Sequence, residues 1–294
     1  MKRNLRGMIV PLVTPFASED VDFASIRSNV AKYARTHLSG LFVGGSNGES
    51  KSLTDQEKLE VLAAVLESRA EHQAVIAGTG HESTRHTVAL SKQAEQLGAD
   101  YVCVLTPSYF KKRLTDEALI GYYNNIADAL TIPVLIYNAP GFTGVTISPK
   151  VVGAVSRHPN IVGIKDSAPG DGGPYLEVVD SSFLVFSGTI NQLYPALILG
   201  AAGGVVSLAN AFPEACCDLF ERAQSGDLEG ARRLHFKLTQ LNHSISGKYG
   251  VAGVKYAMDQ AGYRGGDPRL PLLPLNEEEK RSVAAAIQEA ALLP

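Results

Sequence analysis

Short apolar runs alternate with longer amphipathic stretches along most of this chain. The runs are Met8–Leu12, Gly40–Val43, Ala74–Ala77, Tyr101–Leu105, Pro133–Tyr137, Ile161–Ile164, Phe183–Phe186 and Gly203–Val206. They are brief, rich in β-branched residues and apolar throughout rather than alternating. Strands buried on both faces of a parallel sheet read this way. No short residue period repeats; the recurring unit is an apolar run, a Gly- or Pro-rich turn and an amphipathic stretch. Thr54–Ala70 and Thr84–Leu97 have helical length. Thr54 with Glu57 three residues on forms a capping-box pattern, and Gly98 stands where a C-terminal cap belongs. About eight such alternations predict an α/β fold, a (β/α)8 TIM barrel, in preference to an open doubly wound sheet.

After about Ser225 the pattern is helical only. Helices are predicted over Asp227–Ser246, from about Val251 to Ala261, and over Glu277–Leu293, with a Gly- and Pro-rich loop at Gly262–Leu275. The predicted division is a barrel with the active site over residues 1–224 and a C-terminal helical appendage, packed on it, over residues 225–294.

Composition narrows the function classes. The 294 residues are 45% apolar and 19% charged, enough for a sizeable core. With 27 Lys+Arg against 30 Asp+Glu the net charge is -3, which lacks the basic footprint of a nucleic-acid binder. Cys103, Cys216 and Cys217 are too few for a disulfide framework and suit a reducing compartment. The start, MKRNLRGMIVPLVTPF, is basic but has neither a long apolar run nor a small-residue cleavage site, unlike a signal peptide. No window approaches about 18 uninterrupted apolar residues. The expectation is a cytoplasmic protein without nucleic-acid or membrane partners.

In a barrel the C-terminal strand ends form the active face. Lys165 closes the run Ile161-Val-Gly-Ile, Tyr137 closes Pro133-Val-Leu-Ile, Ser46 and Asn47 lie in the turn Gly44-Gly-Ser-Asn-Gly-Glu49, and Tyr109 follows the fourth run. Desolvation at a barrel mouth favours a neutral amine, which attacks a ketone to give a Schiff base, an electron sink for breaking a neighbouring C–C bond. The plainer alternative for Lys165 is pairing with Asp166 or reaching to the rim. Tyr137 is suited to relaying protons, since a phenol donates and accepts; alone, it equally fits a core aromatic. The turn at Ser46-Asn47 offers N–H groups to an anion or serves only as a strand–helix connection. Glu49 is either a base or a brace for that turn. Gly45-Ser-Asn-Gly-Glu-Ser-Lys-Ser52 misses a P-loop at Ser50, and His81 and His86, five apart, do not share a helical face for zinc. Those histidines read as a solvated helix start, and Cys216-Cys217 as core filling.

Taken with Gly45-Ser-Asn-Gly-Glu-Ser50, Tyr137-Asn-Ala-Pro-Gly-Phe-Thr-Gly144 and Gly163-Ile-Lys-Asp-Ser167, the whole chain resembles the family of dihydrodipicolinate synthase and N-acetylneuraminate lyase. The resemblance implies a class I Schiff-base enzyme that acts on pyruvate or another 2-oxo acid and requires no cofactor or metal. Lys165 would bond to C2, Ser46 and Asn47 would hold the carboxylate, and Tyr137 would shuttle the proton with Ser46 and Tyr109 in a relay. Gly188 and Val206 match pocket positions near the substrate. In the family the second tyrosine crosses a dimer interface, so Tyr109 implies a homo-oligomer, commonly a dimer of dimers.

Departures from the family pattern indicate the subgroup. Where dihydrodipicolinate synthases usually carry an arginine for the semialdehyde carboxylate, this chain has Phe142, which cannot form a bidentate pair. Gly188-Thr-Ile-Asn191 lacks the acids of sialic acid lyases. Ser46-Asn47, Lys165-Asp166-Ser167, Thr106–Arg113, Leu199–Asn210 and Tyr249–Lys255 look like 4-hydroxy-2-oxoglutarate aldolase and 2-keto-3-deoxy sugar-acid aldolases, with Ser167 binding a distal hydroxyl or carboxylate. The expectation is cleavage of a 4-hydroxy-2-oxo acid to pyruvate and an aldehyde. The alternatives are dihydrodipicolinate synthase, a sugar-acid dehydratase, or a non-catalytic barrel that binds a 2-oxo acid.

Overall fold

The structure, a computed structural model, describes residues 3–292. Eight parallel strands close into a barrel in chain order. They are β1 (Gly7–Pro11), β2 (Gly40–Val43), β3 (Ala74–Gly78), β4 (Tyr101–Leu105), β5 (Val134–Asn138), β6 (Ile161–Asp166), β7 (Leu184–Ser187) and β8 (Gly203–Val205). Each overlaps one of the apolar runs. The runs are apolar throughout because alternate residues face two cores. Ile9, Phe42, Ile76, Cys103, Leu135 and Phe186 fill the barrel, whereas Met8, Val10, Leu41, Val75, Val102 and Ile136 pack outward against helices.

The outer helices are α1 (Phe23–Tyr33), α2 (Asp55–Ser68), α3 (Thr84–Leu97), α4 (Asp116–Asp128), α5 (Pro149–Val155), the four-residue α6 (Gly173–Leu176), α7 (Ile190–Ile198) and α8 (Pro213–Ser225). Thr54 and Glu57 cap α2 reciprocally, and Gly98 ends α3 in the left-handed conformation. A hairpin, Phe16–Ala17 with Asp20–Val21, was not foreseen; at two residues per strand it carries no pattern.

The C-terminal helices differ from expectation in their joints. α9 (Leu228–Asn242) passes through a π-helical segment, His243–Gly247, straight into α10 (Lys248–Gln260). The break expected between Ser246 and Val251 is a kink within a continuous path, made at Gly250 with φ +56. α11 (Glu277–Ala290) stops at a left-handed Ala291, and the expected end at Leu293 lies outside the described residues. Leu241, Ile245, Val254 and Met258 join the same core as the barrel's outer face. Among the described residues no helix is long and apolar enough to cross a membrane.

Closure sets one strict steric demand. Gly203 of β8 pairs with Gly7 of β1, and a Cβ on Gly203 would fall 1.9 Å from the Gly7 carbonyl oxygen, at a φ of +149. Gly203→Ala is expected to destabilise the fold by about 3 kcal/mol or more, read by urea unfolding; a loss below about 1 kcal/mol would show that the seam relaxes.

Candidate active site

Lys165 and Tyr137 are register partners at the ends of β6 and β5. Both are buried, with Lys165 at 5% exposure. Lys165 Nζ lies 4.1 Å from the Tyr137 ring centroid and 5.1 Å from that of Phe42. Aromatic faces hold a cation without an opposing carboxylate. Asp166 does not pair with Lys165: one of its oxygens accepts from Asn138 Nδ2 at 2.8 Å and the Ala168 N–H at 3.0 Å. Burial pushes the Asp166 carboxyl up. Asn138 also donates to the Tyr175 hydroxyl, which donates to the Ile147 carbonyl. This network braces the loops on either side of the lysine.

The turn after β2 supplies polar groups opposite. Ser46 Oγ and the Tyr137 hydroxyl are 3.4 Å apart, a long hydrogen bond that either can donate. Asn47 Nδ2 donates to Ser207 Oγ at 2.8 Å, tying the turn to the end of β8. Within the turn, N–H groups of Gly48, Glu49 and Ser50 bond back to Gly45 and Ser46 carbonyls. The N–H groups of Ser46 and Asn47 have no protein acceptor among the described residues. An anion seated there would find two free donors and the Ser46 hydroxyl, which stands beside that of Tyr137.

These residues share a cavity of about 460 Å³, lined by Ser46, Asn47, Tyr137, Lys165, Ser167 and Gly188 among others. Gly188 is required by crowding, since a Cβ there would lie 1.9 Å from Ser167 Oγ. Phe142 lines the rim at 74% exposure. The other candidates stand elsewhere. Val206 is wholly buried in the outer core, so its side chain does not face the cavity; strand alternation turns it outward, and Ser207 lines the wall instead. Tyr109 is 80% exposed, edge-on to Phe110 and not among the residues that line the cavity, while Glu82 anchors its N–H at 3.0 Å. Glu49 is a brace: its carboxylate is buried against Lys255 and the Arg269 N–H.

Asn242, Ser246, Gly250 and Val251 of the C-terminal helices also line the cavity. Nothing in the helical pattern marked them, because their approach to the mouth depends on the π segment and the Gly250 kink. Phe42 and Ser207 were also missed; both sit within apolar or small-residue runs that read as core.

Beside the mouth, His81 and His86 stack 3.6 Å apart, with each Nε2 on one oxygen of Asp55, at 3.0 and 2.6 Å. Helical spacing did not govern them, since His81 precedes α3 and only His86 lies within it. Lys58 Nζ already pairs with Asp55 at 2.9 Å, so a cation holds this carboxylate.

A lysine at the end of the sixth strand of a closed (β/α)8 barrel, beside a tyrosine and a turn with two unused N–H donors, is the arrangement of the imine-forming aldolase class. The chain belongs to the dihydrodipicolinate synthetase family, which it matches over residues 4–290. A 4-hydroxy-tetrahydrodipicolinate synthase of Geobacter sulfurreducens is 35% identical over 290 residues, 98% of this chain and 99% of that protein. A probable mitochondrial 4-hydroxy-2-oxoglutarate aldolase of Emericella nidulans is 37% identical over 293 residues, 97% of this chain and 93% of the relative. The dihydrodipicolinate synthase of Acinetobacter baumannii, solved with pyruvate, superposes with a TM-score of 0.93 at 31% identity, covering 99% of this chain and all of that one. The protein is a carbon–carbon lyase of the Schiff-base type, and the non-catalytic alternative falls.

Burial by itself would raise the Asp55 carboxyl, but hydrogen bonds from Lys58 and His86 outweigh it and hold the group at about 2. The folded value is depressed, so the stabilisation is complete above the unfolded value, about 3.9, and is lost as pH falls towards 2. The stability gap between wild type and Asp55→Asn, read by urea unfolding, is therefore expected to close between about pH 4 and pH 2. A gap constant over that window would contradict the assignment.

Proposed function

We propose that Lys165 forms an imine with the ketone carbon of pyruvate or of a 4-substituted 2-oxo acid, and that bond making or breaking next to that imine is the reaction. The observation that supports this most directly is the buried, carboxylate-free amine beside Tyr137, in a cavity also lined by Ser46 and Asn47, whose N–H groups have no acceptor among the described residues.

The steps balance without a redox partner. The neutral Lys165 amine adds to the carbonyl, and the carbinolamine loses water to leave a protonated imine. In the cleavage direction Tyr137, left as the phenolate after giving its proton to the hydroxyl that departs as water, removes the C4 hydroxyl proton. The C3–C4 pair then flows into the iminium, releasing an aldehyde and leaving an enamine. Protonation at C3 and hydrolysis free pyruvate and the amine. In the condensing direction the enamine attacks an aldehyde. Ser46 and Asn47 bind the pyruvate carboxylate, and Ser46 passes protons to Tyr137. Tyr109, exposed and absent from the cavity lining of its own chain, would complete this relay from a second copy, which makes the working form an oligomer.

For the second partner, the relatives' names back one reading better than the cleavage expected from sequence. Most are 4-hydroxy-tetrahydrodipicolinate synthases, so condensation of pyruvate with aspartate semialdehyde is the better supported activity. Phe142 is the specific observation that keeps 4-hydroxy-2-oxo acid cleavage as a second reading. Lys165 is the only cationic side chain lining the 460 Å³ cavity among the described residues, so the bidentate arginine expected for the semialdehyde carboxylate is missing, and the distal carboxylate of 4-hydroxy-2-oxoglutarate would be left to the hydroxyl and amide donors of Ser167 and Asn242.

Borohydride with millimolar pyruvate, followed by intact mass and peptide mapping, is expected to place one reduced adduct on Lys165 and none in Lys165→Ala. Tyr137→Phe is expected to slow turnover by about 100-fold or more. A folded wild-type chain without adduct would overturn the imine. Direct assays then divide the partners: condensation with aspartate semialdehyde establishes the synthase, and cleavage of 4-hydroxy-2-oxoglutarate without condensation establishes the aldolase. In the second case Phe142→Arg is expected to raise kcat/KM for the semialdehyde by about tenfold or more, through a bidentate pair.

A further inference from the structure

The buried pair of Glu49 and Lys255 takes no part in the chemistry above, yet it joins the anion-binding turn to the C-terminal helices. Both side chains are 1% exposed, and Lys255 Nζ stands 2.6 Å from Glu49 Oε1. The contact is ionic rather than an aligned hydrogen bond, since Oε1 has no hydrogen-bond donor. The ammonium protons are aimed at the carbonyls of Thr14 and Asp267, each at 2.8 Å. Glu49 Oε2 accepts the Arg269 N–H at 2.9 Å, and Thr14 Oγ1 donates to the Gly48 carbonyl at 2.8 Å. One ammonium thus gathers the end of β1, the turn and the loop after α10.

Glu49 holds φ +53, in the left-handed region. A non-glycine residue stays there only when its surroundings impose it. Burying two charges is costly, and apolar residues of similar volume often stabilise as well or better, so stability alone does not account for the pair. Glu49 is two residues beyond Asn47, and its N–H closes the turn on the Ser46 carbonyl at 3.1 Å.

We propose that Glu49 and Lys255 are positioning residues for the carboxylate-binding turn, and that through them the C-terminal helices take part in substrate binding. The inference rests on the imine reading above. It says that losing the pair weakens capture of the 2-oxo acid more than it slows the chemistry. A strut that served only the fold would reduce the amount of active protein and leave the affinity of the remainder unchanged.

The test is the pyruvate dependence of borohydride trapping. Glu49→Gln keeps the shape and an acceptor for the Arg269 N–H while removing the charge. It is expected to raise the half-saturating pyruvate concentration about tenfold or more, with the maximal trapping rate within about threefold of wild type. The double variant Glu49→Gln/Lys255→Met leaves no charge unpaired, so it is expected to fold and show the same rise. Asn160→Ala serves as the control for loosening, since Asn160 bonds the carbonyls of Ala127, Leu130 and Ile132 at the far end of β6. It is expected to lower the melting temperature without moving half-saturation. Unchanged half-saturation in both pair variants, or an equal rise in Asn160→Ala, would overturn the proposal. A wild-type chain that is not labelled overturns the imine reading as well, whereas a labelled wild type with unaffected variants overturns this inference alone.

Discussion

Tyr137 and Lys165 face each other because β5 and β6 run in register from Leu135↔Gly163 to Asn138↔Asp166, after a shift at Val134↔Ile161. β6 carries one extra residue, Val162, at that shift. The extra residue restores an alternation in which Ile164 packs outward among the helices and Lys165 turns into the barrel. A slip of one residue would exchange the two faces, burying an ammonium among aliphatic side chains. The approach of β7 depends on the same strand, since a Cβ on Gly163 would meet the Leu184 carbonyl oxygen at 2.4 Å. Closure, strand parity and the direction of the Lys165 amine are therefore one constraint.

The polar shell around the amine divides its work by distance. Asn138, Asp166 and Tyr175 form a buried network that faces away from the cavity and braces the loops after β5 and β6. Keeping the Asp166 carboxylate occupied there leaves Lys165 without an ion-pair partner. The turn after β2 works by a similar economy. Its own hydrogen bonds use the N–H groups of Gly48, Glu49 and Ser50 and spare those of Ser46 and Asn47.

Relatives that share this barrel are named both as 4-hydroxy-tetrahydrodipicolinate synthases and as a probable 4-hydroxy-2-oxoglutarate aldolase. Phe142, Ser167, Asn242 and Ser246 stand around the cavity of this chain. Two of these four belong to the C-terminal helices. A boundary at residue 225 describes the change in sequence pattern, but it cuts through the wall of the site.

The eight strands, the capping box at Thr54–Glu57 and the lysine at a strand end were legible from the chain because each depends on neighbours in sequence. Burial on both faces makes a strand continuously apolar, and a charged residue ending such a run stands out. Departures from that local logic were invisible. The extra residue in β6 has no local signature, since Ile161-Val-Gly-Ile-Lys-Asp166 reads alike with or without it. The outward face of Val206 and the exposure of Tyr109 depend on strand parity and loop packing. Pairing of Glu49 with Lys255, 206 positions apart, needs the whole barrel to bring its ends together. The sequence by itself determined the barrel and the candidate nucleophile, through local burial and residue type. Only tertiary structure decided which groups surround that nucleophile, because closing the barrel sets distances between residues that no spacing along the chain records.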